Sequence, residues 1–198
     1  MRILSTPHQA ALVLALAMLA GCQGPTATTS FSVQLKDAPG DVQQAVVTIS
    51  EVDLVGSGGV VVLTQTPTTV DLLTFAASAA TLVQDVEVPS GDYEELRFKI
   101  TGACLAVENG TGGSDVYATE GYDATQCGGE ATGVLQAPSF AQSGLKVTMA
   151  GNALELTGPE KIVLVDFDVS QSFGHEASGW VMHPVVTGGE LTTEAPAP

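Results

Sequence analysis

Positive charge is scarce in this chain of 198 residues. Six Lys and Arg stand against 22 Asp and Glu, a formal net charge of −16. Such a surface repels phosphate backbones, so no nucleic-acid partner is expected. It has no basic patch to hold anionic headgroups either. A saline habitat or simple solubility would account for the acidity equally well. Aromatic residues make up 5% of the chain, with one Trp, and there are three Cys. No GxSxG elbow, P-loop or GxGxxG occurs, and no activated nucleophile is legible, so no enzymatic activity is expected. No long amphipathic helix can be traced. The longest apolar run near the start, Ala10 to Ala20, has eleven residues. A helix needs about 20 to cross a bilayer core.

That short run carries information. It follows Arg2 and precedes Leu19-Ala20-Gly21-Cys22. A positive start, a short apolar core and small residues before a cut describe an export signal over residues 1–21. The last four residues also resemble the bacterial lipobox. That resemblance implies that the Cys22 thiol takes a diacylglyceryl group, that the chain is cut before it, and that the new amine is acylated. An ordinary secretory signal with a chance cysteine is the alternative. Several acyl chains make a stable anchor where one is marginal. The membrane would then be reached through lipid. Residues 22–30 read as the lipidated cysteine and a flexible tether, 31–188 as one domain, and 189–198 as a frayed tail. Gln23, in place of the Asp that marks inner-membrane retention, points to an outer membrane. The expected location is a bacterial cell envelope, facing the periplasm or the surface.

An exported chain meets an oxidising compartment. With Cys22 acylated, Cys104 and Cys127 remain as an even pair. Joined, they would close a loop of 24 residues, worth about 3 kcal/mol in the chain-entropy model. Two free thiols or a metal pair are the alternatives, although no CxxC knuckle supports zinc.

Elsewhere the dominant period is two. Phe31, Val33 and Leu35 alternate with polar residues, as do Leu96, Phe98 and Ile100, then Leu145, Val147 and Met149, then Val163, Val165, Phe167 and Val169. The phase slips after Ile49, which predicts a bulge near Ser50 and Glu51. A last strand is read over Trp180 to Val186, with Pro184 demanding an edge or a bulge. Phe75 to Ala80 could form a single helical turn. Pro89-Ser90-Gly91-Asp92-Tyr93 suits a turn into a strand with a tyrosine corner. Short alternating strands between Gly/Pro turns predict an all-β fold, an antiparallel β-sandwich of immunoglobulin-like or prealbumin-like type.

A set of short motifs resembles a known family. They are Leu35-Lys36-Asp37-Ala38-Pro39, Val70-Asp71-Leu72-Leu73, and Val88 to Arg97. Pro138-Ser139 with Gly144-Leu145-Lys146, Val165-Asp166-Phe167-Asp168 with Ser172, and His183-Pro184-Val185 follow. Their order and spacing resemble the bacterial lipoproteins that carry domain of unknown function 4382. The resemblance spans about residues 30 to 188. It implies an exported, all-β, lipid-anchored domain and no known reaction. The Cys104–Cys127 insert is its least typical part.

Candidate chemistry is sparse. Asp166 and Asp168 would share one strand face about 6.6 Å apart. With Asp37 or Asp41 they could hold Ca²⁺, or they could cap turn amides instead. Asp37 before Ala38-Pro39-Gly40 also suits a turn cap. Glu108, Asp115, Glu120, Asp123 and Glu130, with Tyr117 and Tyr122, lie in or next to the insert, where specificity is most to be sought. They could hold a cation, meet a partner, or simply be solvated. His175, Glu176 and His183 lack HExxH spacing. Trp180 suits core or rim packing better than sugar stacking. A trio of Ser172, His175 and Asp168 can be assembled on paper, as in any chain. The expectation is a lipid-anchored envelope protein acting as a binding or structural module, with an envelope protein or glycan as partner and no cofactor. The alternative is a calcium-dependent surface adhesion or glycan-binding domain.

Overall fold

A computed structural model describes residues 26–38, 42–76, 79–137, 142, 144–149 and 153–192. Residues 1–21, where an export signal is expected, and Cys22, Asp41 and the Asp37 side chain lie outside the described residues. So do residues 193–198 of the expected tail. No described helix is long and apolar enough to cross a membrane.

The period of two becomes strands throughout. Chain order runs β1 (Thr28–Ala38), β2 (Gln44–Gly56), β3 (Gly59–Thr64), β4 (Thr68–Asp71), β5 (Ala80–Pro89) and β6 (Gly91–Glu108). Then come β7 (Ser114–Ala118), β8 (Gly133–Val134), β9 (Leu145–Met149), β10 (Leu154–Leu156) and β11 (Glu160–Asp168). A hairpin of β12 (Phe173–Glu176) and β13 (Gly179–Met182) precedes β14 (Val186–Thr192). The main sheet runs β3-β2-β6-β9-β14-β11-β1-β5. β9 pairs with both β6 and β14, so one sheet folds over on itself and encloses the core as a sandwich does. The fold is all-β, as the alternation predicts.

The inward faces meet residue by residue. Phe31, Val33, Val47, Leu54, Leu96, Phe98, Val163, Val165 and Phe167 have no exposed surface. Each full burial of such a side chain contributes roughly 1.5–3 kcal/mol. The predicted slip is present: the β2–β6 register shifts between Ile49 and Glu51. The tyrosine corner is present too, Tyr93 Oη donating to the Pro89 carbonyl at 2.8 Å.

Three expectations change. The pairing is not wholly antiparallel, because β1 with β11, β14 with β9 and β7 with β8 are parallel. Tight hairpins force antiparallel neighbours. β1 and β11 are joined by no hairpin, Ser30 facing Glu160, so either direction is open to them. The strand expected over Trp180 to Val186 is two strands. Pro184 has no N–H to give a ladder. Around it the chain leaves the sheet, with His183 N–H on the Ser172 carbonyl at 2.7 Å and Val185 N–H on Ser172 Oγ at 2.8 Å. β14 then runs to Thr192, beyond residue 188. The helical turn lies at Leu72–Ala76 and is 3-10, while Ala80 already opens β5. Asp71 starts it, accepting the Leu73 N–H at 3.2 Å while Thr74 Oγ1 bonds the Asp71 carbonyl at 2.7 Å.

Candidate functional site

The insert between Cys104 and Cys127 is an ordered flap. β7 folds back on the end of β6, Cys104 opposite Ala118 and Glu108 opposite Ser114. A 3-10 turn, Ala124–Cys127, brings Cys127 back to Cys104, and the two sulfurs are bonded at 2.07 Å. Of thiols, metal pair or disulfide, the geometry supports the disulfide. Asp123 caps the turn: its carboxylate accepts from Thr125 Oγ1 at 2.6 Å and Thr125 N–H at 3.0 Å. These bonds, the hydroxyl's first, hold its carboxyl below the usual range. Gly128 follows at φ 85°, the left-handed region that glycine fills without a Cβ penalty. Beneath the flap is a second small core of Val46, Cys104, Ala106, Val116, Ala118 and Cys127. It sits on the outer face of β2 and β6, which explains why Gly102 to Ala106 are all buried. Tyr122 lies over Gly102. A Cβ there would stand 2.1 Å from the ring. The Tyr122 hydroxyl bonds Thr48 Oγ1 at 3.0 Å.

Between flap and sheet is a cleft of about 440 Å³, lined by Gln43, Gln44, Ser114, Val116, Cys127 and Glu130 among others. Ser114 Oγ donates to Gln43 Oε1, and Gln44 Nε2 donates to the Gln126 carbonyl at 3.2 Å. Gly128 and Gly129 on the rim carry no side chain to close it. The cleft thus offers two side-chain amides, one hydroxyl and one carboxylate over an apolar floor. Such a surface can hold and orient a polar ligand. Of the acidic residues in and next to the insert, Glu130 lines this cleft, Asp123 caps, Asp115 accepts from Asn109 Nδ2 at 3.4 Å, and Glu108 and Glu120 are solvated.

The Asp166/Asp168 ridge is differently employed. Both face away from the core on β11, opposite the buried Val165 and Phe167. Asp168 caps the helical turn Val169–Ser172, accepting from Ser170 Oγ at 2.6 Å and Gln171 N–H at 3.0 Å. The Ser170 bond, followed by those from Gln171, holds its carboxyl below the usual range. Asp37 stands opposite Phe167 in the β1–β11 ladder. No group of three or more His, Cys, Asp or Glu suited to a metal ion occurs among the described residues. His175, Glu176 and His183 do not converge. His175 meets Trp180 edge to face at 5.4 Å, and Glu176 reaches His183 at 3.7 Å. Trp180 also packs near Tyr117, with ring centroids 6.0 Å apart. Ser172 Oγ, 1% exposed at the residue level, accepts the Val185 N–H, and Asp168 serves its own turn, so the paper trio is not assembled.

One cluster escaped sequence reasoning. On the outer face of β2, β6 and β9, Lys99 bonds Glu51, Arg97 bonds Glu95, and Lys146 reaches Glu95 at 3.0 Å. Asp53 is 4% exposed. Its Oδ2 is 3.7 Å from Lys99 Nζ, and its Oδ1 has no hydrogen-bond partner. Burial first, and then the neighbouring Glu51, push the Asp53 carboxyl above its ordinary 3.8. Lys99 first, and then Gln65, hold Glu51 below its ordinary value. Burial pushes Glu95 up, but hydrogen bonds from Arg97 and Lys146 outweigh it and hold it low.

The signs therefore oppose. Glu51 and Glu95 lend stability at neutral pH that is lost as pH falls through their folded values. Asp53 binds its proton more tightly folded than unfolded. What it lends is present below about 3.8 and lost as pH rises through its folded value. Asp53→Asn is accordingly expected to raise the melting temperature at neutral pH, the gain vanishing in acid. Melts of both proteins across pH check this, and a variant that melts lower at neutral pH refutes it.

Comparison with protein-family models gives a match to Domain of unknown function (DUF4382) over residues 28–184. No curated protein and no solved structure matches the chain. The matched span holds β1 to β13, the flap with its disulfide and the cleft. It covers well over half of the 198 residues, and the chain belongs to the DUF4382 family.

Proposed function

We propose that this protein is a lipid-anchored component of the cell envelope whose β-sandwich is a binding module, with the cleft beside the disulfide as its recognition site. The observation that carries this reading is the cleft. A covalent bond, a capped turn and a small core hold a flap over the sheet, and that scaffolding leaves a concave polar surface of about 440 Å³. Rigid support with few convergent polar groups is what ligand sites require. The anchor rests on the N-terminal sequence, where Cys22 follows an apolar run and two small residues.

The lining favours the glycan form of the alternative reading. Side-chain amides, a hydroxyl and a carboxylate are groups that meet vicinal hydroxyls in pairs. Glu130 and the net charge of −16 disfavour an anionic ligand. The calcium form draws less support, since Asp168 already spends its carboxylate on a turn. Fractionation tests the anchor. The native chain should partition with membranes and carry acyl mass on Cys22, and Cys22→Ser should release it to the soluble fraction. Equal partitioning of both forms would refute the anchor and leave the cleft to be tested alone.

A further inference from the structure

The two ends of the main sheet are protected very differently. β5, at one end, carries Glu87 and Pro89, and is bulged at Asp85, whose φ is 51°. Charge, proline and a bulge are the devices by which edge strands avoid pairing with other chains. β3, at the other end, has no charge and no proline, and its one bulge falls at Leu63, next to its last residue. Its sequence, Gly-Val-Val-Val-Leu-Thr, is uncharged and rich in β-branched residues. Among the described residues it pairs with β2 and with no other strand. Val60 is 57% exposed and Val62 45%, while Leu63 is 6% exposed in the core. Alternate residues of such an edge turn their N–H and C=O groups outward, unpaired.

The charge beside this edge is equally uneven. Three of the chain's six Lys and Arg, namely Arg97, Lys99 and Lys146, balance Glu51, Asp53 and Glu95 on the adjoining face. Val62 stands opposite Asp53, and Asp53 opposite Arg97. On a surface with net charge −16, the strip next to β3 is locally neutral. Over the rest of the chain three Lys and Arg remain against 19 Asp and Glu, so copies meeting there bring a net excess of acid together. Two copies meeting at β3 do not.

We propose that β3 is a self-association edge, pairing antiparallel with β3 of a second copy about a two-fold axis. The symmetry makes the contact isologous and closed. It extends the sheet across both copies and places Val60 and Val62 against their counterparts. A six-residue strand buries less area than a stable dimer interface of about 1,200–2,000 Å². The association is therefore weak and concentration-dependent in solution.

The test is light scattering and sedimentation of the full exported chain in detergent, over a wide range of protein concentration. Three forms are compared: native, Val62→Lys and Val62→Thr. Val62 is exposed, so both variants should keep the native melting curve, measured in parallel. The native chain should shift from monomer to dimer as concentration rises and stop at two. Val62→Lys sets like charges opposite each other and should weaken association by about tenfold or more. Val62→Thr, uncharged and β-branched, should dimerise nearly as the native chain does. A native chain that stays monomeric at every concentration overturns the proposal, as does a dimer that Val62→Lys leaves intact. Growth into open chains of copies overturns it too.

Discussion

Replacing Cys104 and Cys127 together by alanine should lower stability by about 3 kcal/mol in the chain-entropy model. For a domain of this size that is a fall of roughly 6–12 °C in melting temperature. The crosslink spans a sequence separation of 23. Much of that span is turn: Asn109 to Gly113 and Thr119 to Asp123. Without the bond, the unfolded chain regains the freedom to explore these turns, while the native chain keeps its β6–β7 ladder. The loss should be local before it is global. The floor of the cleft includes Cys127, and its rim includes Gly128 and Glu130. Ligand binding should therefore fail at temperatures where the main sheet is still intact. Far-ultraviolet dichroism for the sheet and amide exchange for residues 114–130 check the two separately. An unchanged melting curve in the double variant would show that the flap is held by its small core alone.

Phe98→Ala should be the most damaging single substitution, at about 3–5 kcal/mol. Phe98 has no exposed surface and lies mid-strand in β6, facing Val52 of β2 on one side and Leu145 of β9 on the other. It sits where the folded-over sheet turns from one layer to the next, so the cavity cannot be filled from a mobile edge. Total stability of such domains is about 5–15 kcal/mol, so the variant should express poorly or melt early. Denaturant unfolding measures the difference. A cost near that of an exposed substitution would mean that the core relaxes around position 98.

Much of this was readable in advance, for reasons that differ by element. Phe31-Val33-Leu35 and Val163-Val165-Phe167 alternate cleanly because one face of each strand meets the core and the other does not. The slip after Ile49 and the Pro89–Tyr93 corner are local features written in neighbouring residues. Cys104 and Cys127 stand out as an even pair once Cys22 is set aside, with free thiols or a metal pair as the other readings. Direction and register were not local. Nothing in β1 or β11 states that they run parallel 130 residues apart, Ser30 facing Glu160. The ion network was hidden for the same reason. Glu95, Arg97 and Lys99 visibly share a face, but their partners Glu51, Asp53 and Lys146 are fixed by pairing across three strands. The cleft draws Gln43 and Gln44 from β2's approach, Ala106 from β6, Ser114 from β7 and Glu130 from the flap's return. No sequence window contains it. Glu130 was singled out only as one acidic residue among five.

The most direct test of the central claim is a thermal melt of the chain against a panel of neutral oligosaccharides, with calcium, magnesium and chelator arms, repeated on a variant carrying Gln43→Ala and Glu130→Ala. A ligand that binds the native state stabilises it by mass action, by about 2.7 kcal/mol at about 100 times its dissociation constant, and so raises the midpoint. The account predicts that one class of neutral saccharide raises the midpoint in every arm, and that the double variant loses this rise while melting normally without ligand. A midpoint unmoved by every saccharide, or a rise that the double variant keeps, would contradict the cleft as the recognition site. A rise that requires calcium would move the site to the chain's acidic residues.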